Sequence, residues 1–385
     1  MGNGGAEMTF NGQRLKMARI YRNMNMADLA DNIGVSKQAI FQFENNLTKP
    51  KPDVEFSIIT TLKFPRTFFY QEDDGIRIYN TFFRALSSTC AIDKKTQEIK
   101  TKMIVQIYNF LCEYLDLPIV NIPKIEDKSD IESVAQNVRD YWSIANQPIP
   151  NMVNLIENYG IIVSAFDVDS DKIDAFTQMH DINTYRQYCV VVGNNKKSAV
   201  RRNFDIAHEL GHIILHSDIE NLNELPPNEL KRLEDEADQF AAAFLMPKNA
   251  FYADLKNADN LMSYIELKKK WHVSIAAMLI RAKSLGRISI VEYQKMMKSM
   301  SYRKWRIKEP LDDELKIASP TLFLSAIEVL FENKIMTPQT FMSALAKYGL
   351  PMNPDDVEKL LSLPPNTLVN NSFKPIALKN IIDIK

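Results

Sequence analysis

The sequence predicts a mostly α-helical protein with a small β-sheet, an α+β fold with an N-terminal helical domain and a C-terminal helical tail. Three observations lead there. Apolar residues recur at helical spacing through most of the 385-residue chain. Two short runs rich in β-branched residues, 161–166 and 187–192, read as buried strands in its middle. Helices enclose these runs instead of alternating with them, which argues against a repeated βαβ architecture.

At 385 residues the chain has room for two or three domains. Its 45% hydrophobic and 25% charged residues are ordinary globular usage. A net charge of −1 excludes a chain-wide basic surface, so any contact with nucleic acid must be local. Cys90, Cys112 and Cys189 are too scattered for a disulfide framework or a paired-thiol metal site. The start lacks a basic segment followed by an apolar run, and reads as a tail with order beginning near Met8. No stretch reaches about 18 uninterrupted apolar residues, so no membrane span is expected and a cytoplasmic location is the default.

Residues 8–70 read as a helical domain, with Leu15, Ala18, Ile20, then Leu29, Ala30, Ile33, then Ile40, Phe41, Phe43 at helical spacing. Pro50 and Pro52 mark a break before a short helix near 55–62, and 71–82 reads as linker. Helices follow at 94–116, 130–142 and 152–159, the last ended by Gly160. After the two strands come helices near 199–216 and 229–245, the second stopped by Pro247. Helices continue to about 298, and a final helical region spans 318–362 with Leu322, Ala326, Leu330 and Phe331 as packing positions. The expected domains are therefore 8–70, a helical linker 71–135, a central domain 136–308 and a C-terminal helical domain 309–385.

Chemistry concentrates in His208-Glu209-Leu210-Gly211-His212. Residues four apart share a helix face, so the two imidazoles can bind one Zn²⁺. Glu209 beside them can accept a proton from the attacking water. Only five histidines occur in the chain, and three of them stand at 208, 212 and 216. A catalytic zinc takes three protein ligands and keeps one position open. His216 is a poor third, because a straight helix rises about 12 Å from 208 to 216. Glu236 is preferred, since Leu233, Phe240 and Ala243 continue its face as an apolar stripe and a buried carboxylate needs a strong partner. Glu234, sharing a face with Ala237, Asp238 and Ala241, is the second candidate.

Phe204-Asp205-Ile206-Ala207-His208-Glu209-Leu210-Gly211-His212, then Glu236-Ala237-Asp238-Gln239-Phe240-Ala241 and Leu245-Met246-Pro247, resemble the ImmA/IrrE family of metallopeptidases. Ile149-Pro150-Asn151, Tyr159-Gly160-Ile161-Ile162-Val163, Asp174-Ala175-Phe176 and Trp271-His272-Val273-Ser274 extend the likeness from about 140 to 310. The resemblance implies a gluzincin-like zinc peptidase domain, with the third ligand falling on Glu236. It also implies cleavage of a helix-turn-helix repressor in a stress or phage-type response.

The stretch from Met26 to Asn45 is similar to the helix-turn-helix of XRE (Cro/cI-like) regulators. Gly34 suits the tight turn and Ser36 the cap of the second helix. Residues 8–51 carry seven Lys or Arg and three acids, a local basic excess that phosphate contact requires. The expected DNA-contacting set is Arg14, Ser36, Lys37, Gln38 and Gln42, with Phe41 and Phe43 in the core. Double-stranded DNA, a protein substrate and a second copy of the chain are the expected partners. The joint expectation is a DNA-binding regulator whose zinc endopeptidase domain uses His208, His212, Glu236 and Glu209. The alternative is a non-proteolytic regulator or antitoxin-like protein whose second domain senses a ligand or partner.

Overall fold

Local capping signals start and stop the first helices. In the computed structural model the described residues are 9–72, 76–83, 91–166, 175–182, 185–193, 198–219 and 222–369. The first seven residues, Met8, Cys90, Asp174 and the Asn-rich end beyond 369 lie outside them. Helix α1 is Gly12–Tyr21, capped by the Asn11 side chain. Helix α2, Met26–Ile33, opens with a capping box between Asn25 and Asp28 and ends at Gly34, whose φ of 72° is left-handed. Ser36 caps α3, Lys37–Glu44, by accepting from the Ala39 amide. Helix α4, Pro52–Leu62, starts on a proline at its first position.

Helix α1 is the centre of this unit and is buried nearly all round, including Arg14 and Arg19. Arg19 donates from Nε to Glu44 Oε1 at 2.5 Å and from Nη2 to Oε2 at 3.0 Å, and both side chains are buried. Phe10, Phe64, Phe68 and Phe69 fill the space beneath it. Helix α5, Ala91–Leu111, joins this unit from Lys95 onward. Thr96 donates to the Ile20 carbonyl at 2.8 Å.

The second unit comprises Gly75–Lys94 and Asp116–Leu322. Its sheet has four strands in the order β1-β3-β4-β2: β1 Arg77–Phe83, β2 Ile162–Phe166, β3 Ala175–Ile182 and β4 Tyr185–Gly193. Strand β2 runs parallel to β4, and the other two pairings are antiparallel. The helices are α6 Ile131–Tyr141, α7 Met152–Asn158, α8 Ala199–His216 and α9 Pro227–Leu245. They continue as α10 Lys248–Asp254, α11 Ser263–Trp271, α12 Ile275–Ser284 and α13 Ile290–Tyr302. Helix α8 packs on β3 and β4 and against α9, so the hydrophobic core lies around α8. Asn203 anchors that helix by accepting from the Met152 amide at 3.2 Å and donating to the Pro150 carbonyl at 3.1 Å.

Two strands were not expected. Strand β1 occupies much of the stretch read as linker, and its Asn80 and Thr81 dilute the apolar signal. Strand β3 carries Thr177, Gln178, His180 and Asp181, which hide a chain that is buried almost throughout. Both form because the sheet supplies their hydrogen-bonding partners, information that no local window contains.

The division of the chain also differs from the expected linear order. Residues 309–322 belong to the second unit. There the Lys268 ammonium, fully buried, donates to Glu309 at 2.9 Å and Asp312 at 2.7 Å. Glu309 in turn accepts from the first amides of α12, Ile275 at 2.9 Å and Ala276 at 3.1 Å. Three last helices, α14 Leu322–Glu332, α15 Pro338–Lys347 and α16 Pro354–Leu360, return from Phe323 onward to the first unit. Arg22 forms a two-pronged pair with Asp356 at 2.7 and 2.6 Å, and Phe110 meets Phe341 at 5.4 Å between ring centres. The expected C-terminal domain is therefore part of the unit that carries α2 and α3. Among the described residues no helix is long and apolar enough to cross a membrane.

Removing one partner of a buried ion pair strands the other charge. Glu44→Ala is expected to cost about 3–5 kcal/mol in denaturant unfolding. Glu229→Ala, which breaks the exposed Arg232–Glu229 pair, is expected to leave the unfolding midpoint nearly unchanged. Equal costs for the two would refute the structural role given to Arg19–Glu44.

Candidate metal centre and nucleic-acid interface

Helices α8 and α9 approach closely where Gly211 meets Ala237. A Cβ built on Gly211 would stand 3.2 Å from the Ala237 Cα and carbonyl oxygen. The residues flanking this contact decide the site. His208, Glu209, His212 and His216 are all at most 2% exposed. The Nε2 atoms of His208 and His212 are 3.0 Å apart. Glu234 straddles them, with Oε2 3.3 Å from His208 Nε2 and Oε1 3.4 Å from His212 Nε2. Among the described residues, these three are the group whose ligand atoms all lie within 4.8 Å of one another.

The donor set fits a zinc ion. Ligand atoms about 2.1 Å from a tetrahedral ion stand roughly 3.4 Å apart, close to all three separations, and two imidazoles with one carboxylate are zinc's usual partners. His208 Nδ1 contacts Asp238 Oδ1 at 2.8 Å, an arrangement that leaves Nε2 to the ion. Burial works to raise the Glu234 carboxyl, but hydrogen bonds and charge from His208 and His212 outweigh it and leave it well below its ordinary value.

Glu209 sits between the histidines in sequence and is held from the sheet. Its Oε2 accepts from the Thr177 hydroxyl of β3 at 2.7 Å. Burial raises its pKa, and His212, His208 and Thr177 oppose that shift. Thr177 stands opposite Phe82 in the β1–β3 register. Thr177 had no place in the sequence reading, and nothing near it in the chain indicates it. Asp238 could have been found, because the four-residue spacing from Glu234 puts both carboxylates on one face.

Glu236, the preferred third ligand, lies elsewhere. Its Oε2 is 3.0 Å from His216 Nε2, and its Oε1 accepts from Arg232 Nη1 at 2.6 Å. The apolar stripe of Leu233, Phe240 and Ala243 does turn toward the core. Glu236 flanks the α8–α9 contact on one side and Glu234 on the other. Helical periodicity cannot tell which flank faces His208. His216 is not within the donor group; its Nδ1 meets His212 Nδ1 at 3.0 Å. Burial, and then the neighbouring His212, push the His216 imidazole below its ordinary value, and Glu236 opposes that shift.

In the other unit, Ser36, Lys37 and Gln38 are exposed at the start of α3, and Gln42 is half-buried one turn on. Arg14 does not belong with them. It is 3% exposed, donates to the Glu72 carbonyl and lies over the Phe68 ring. The basic count was right, but α1 is buried on the side that carries Arg14, so that charge is spent inside. Phe43 is in the core as expected, whereas Phe41 is 48% exposed.

The search of curated proteins returns no match for the chain. Two family matches correspond to the two sites. Residues 15–68 match the helix-turn-helix family, a stretch that runs from within α1 to beyond α4. Residues 156–283 match the IrrE N-terminal-like domain, a peptidase family, and this stretch holds β2 to β4, α8 and α9. The chain therefore joins a helix-turn-helix domain to an IrrE-like, peptidase-family domain.

Proposed function

We propose that this protein is a DNA-binding transcriptional regulator whose second unit is a zinc endopeptidase, with His208, His212 and Glu234 as ligands and Glu209 as general base. The observation that carries the reading is the donor triangle of these three residues, with Glu209 adjacent in the same helix. Zinc, when bound, would lower the pKa of a coordinated water and polarise the scissile carbonyl. Glu209 takes the proton of the attacking water and returns it to the leaving amine. Thr177 holds one carboxylate oxygen of Glu209 and so limits its rotation. Asp238 orients His208. The substrate is a protein, in our reading a helix-turn-helix repressor or a related regulator, cut in a stress or phage-type response.

The exposed start of α3 supports DNA reading by Ser36, Lys37 and Gln38, with Gln42 behind them. A fused reader would hold the peptidase at its operator, and we place the protein in the cytoplasm as a homodimer on DNA.

Elemental analysis of purified protein is expected to find about one zinc per chain in the wild type and in Glu236→Ala. His208→Ala and Glu234→Ala should lose it. Retention in Glu234→Ala with loss in Glu236→Ala would return the ligand role to Glu236.

Glu209→Gln removes the base while keeping its shape. It should retain zinc and DNA binding and lower cleavage of a repressor substrate by about 10²–10⁴-fold. Undiminished cleavage would remove Glu209 from the mechanism. A wild type that holds zinc and DNA yet cuts nothing would favour a non-proteolytic regulator.

Lys37→Ala should weaken binding to all duplexes and reduce the salt slope by about one, whereas Gln38→Ala should cost about 1–3 kcal/mol on the preferred operator only. Arg14→Ala should leave the salt slope of the folded protein unchanged. Mobility shift across a salt series would separate these outcomes.

A further inference from the structure

His212 is backed by a chain of polar side chains that continues beyond the donor triangle. From His212 Nδ1 the contacts run to His216 Nδ1 at 3.0 Å, from His216 Nε2 to Glu236 Oε2 at 3.0 Å, and from Arg232 Nη1 to Glu236 Oε1 at 2.6 Å. Helix α8 supplies the two histidines four residues apart, and α9 supplies Arg232 and Glu236 at the same spacing. Exposure increases outward along the chain. The His216 side chain is 3% exposed, Glu236 26% and Arg232 56%.

Proton bookkeeping allows one arrangement that is compatible with metal binding. A neutral imidazole carries a single N–H. Ligation through His212 Nε2 puts that proton on Nδ1, which then donates to His216. His216 Nδ1 must accept, so its own proton lies on Nε2 and is donated to Glu236. Glu236 accepts this hydrogen bond as a carboxylate and is itself held by Arg232. In the reverse order His216 Nδ1 would donate, and His212 would carry its proton on Nε2, where a metal must bind. The contacts and the ligand role therefore select the same tautomers.

We propose that His216 and Glu236 are positioning residues, a relay that locks His212 in its metal-binding tautomer and ring orientation. The proposal rests on the reading of His208, His212 and Glu234 as a zinc centre. It gives Glu236 a defined place outside that centre. It also accounts for a third buried histidine that is too far along the helix to share the ion.

The test is zinc affinity of the full-length protein, measured by competition with a chromogenic chelator, alongside the thermal midpoint of the metal-free form. His216→Ala is expected to bind zinc about 10–100-fold more weakly, still at one ion per chain. Glu236→Ala, at a partly exposed position, should lose affinity in the same direction. The double variant should be no weaker than His216→Ala alone, because Glu236 acts through His216. His216→Gln, which keeps a donor and an acceptor, should recover part of the loss. If wild type binds zinc and both single variants bind it equally well, the relay is wrong and the centre stands. Additive losses would likewise overturn it, since the two residues would then act independently. Should the metal-free His216→Ala variant unfold, Glu236→Ala and His216→Gln decide the question. A wild type that binds no zinc defeats the underlying centre, and the relay with it.

Discussion

The site depends on how closely α8 and α9 can approach. Gly211 and Ala237 bring the two helices within van der Waals reach of each other's backbone, with no room to spare. That contact places Glu234 across the gap from His208 and His212, and Glu236 across from His216. A Cβ at position 211 would meet the Ala237 backbone at 3.2 Å, so α9 would have to give by a few tenths of an ångström. Ala241 and Ala243, both buried, extend the small-residue surface along α9. The donors stand 3.0 to 3.4 Å apart beside this backbone contact.

The second constraint is the burial of charge. Glu209 is 1% exposed, and His212 and His208 of its own helix only partly offset the cost of burying it. It is held by a hydroxyl from β3, so the sheet contributes directly to the chemistry of α8. Around the histidines, Glu209, Glu234, Glu236 and Asp238 converge, and Arg232 donates to Glu236. Carboxylates gathered beside imidazoles in this way suit a divalent cation, which would offset their charge.

Much of this was legible in the sequence. The helix that carries the two histidines with Glu209 between them, and the second acidic helix, follow from residue spacing alone. So do the caps at Ser36 and Gly34. What was not legible depends on rotation and on distant partners. The choice between Glu234 and Glu236 is a matter of which flank of one apolar stripe faces α8, and both flanks fit the periodicity. Arg14 looks like a phosphate contact in a basic segment, but α1 turns it inward onto Phe68 and the Glu72 carbonyl. Strands β1 and β3 carry too many polar residues to be read without the neighbours that pair with them.

The chain's own order also conceals which parts stabilise which. The last three helices sit far from the helix-turn-helix in sequence, yet Asp356 anchors Arg22 and Phe341 packs on Phe110. A small helical unit buries too little apolar surface to be secure alone, and these late helices enlarge its core. Conversely, Glu309 and Asp312 close the second unit by neutralising the buried Lys268 and capping α12. The first unit thus takes residues from both sides of the second in sequence, and the second from both sides of the segment 95–115. Truncation at either expected boundary would remove buried partners, so an isolated 8–70 or 136–308 fragment would lack contacts that the full chain supplies. The functional units of this protein follow its packing, and only partly the order of its motifs.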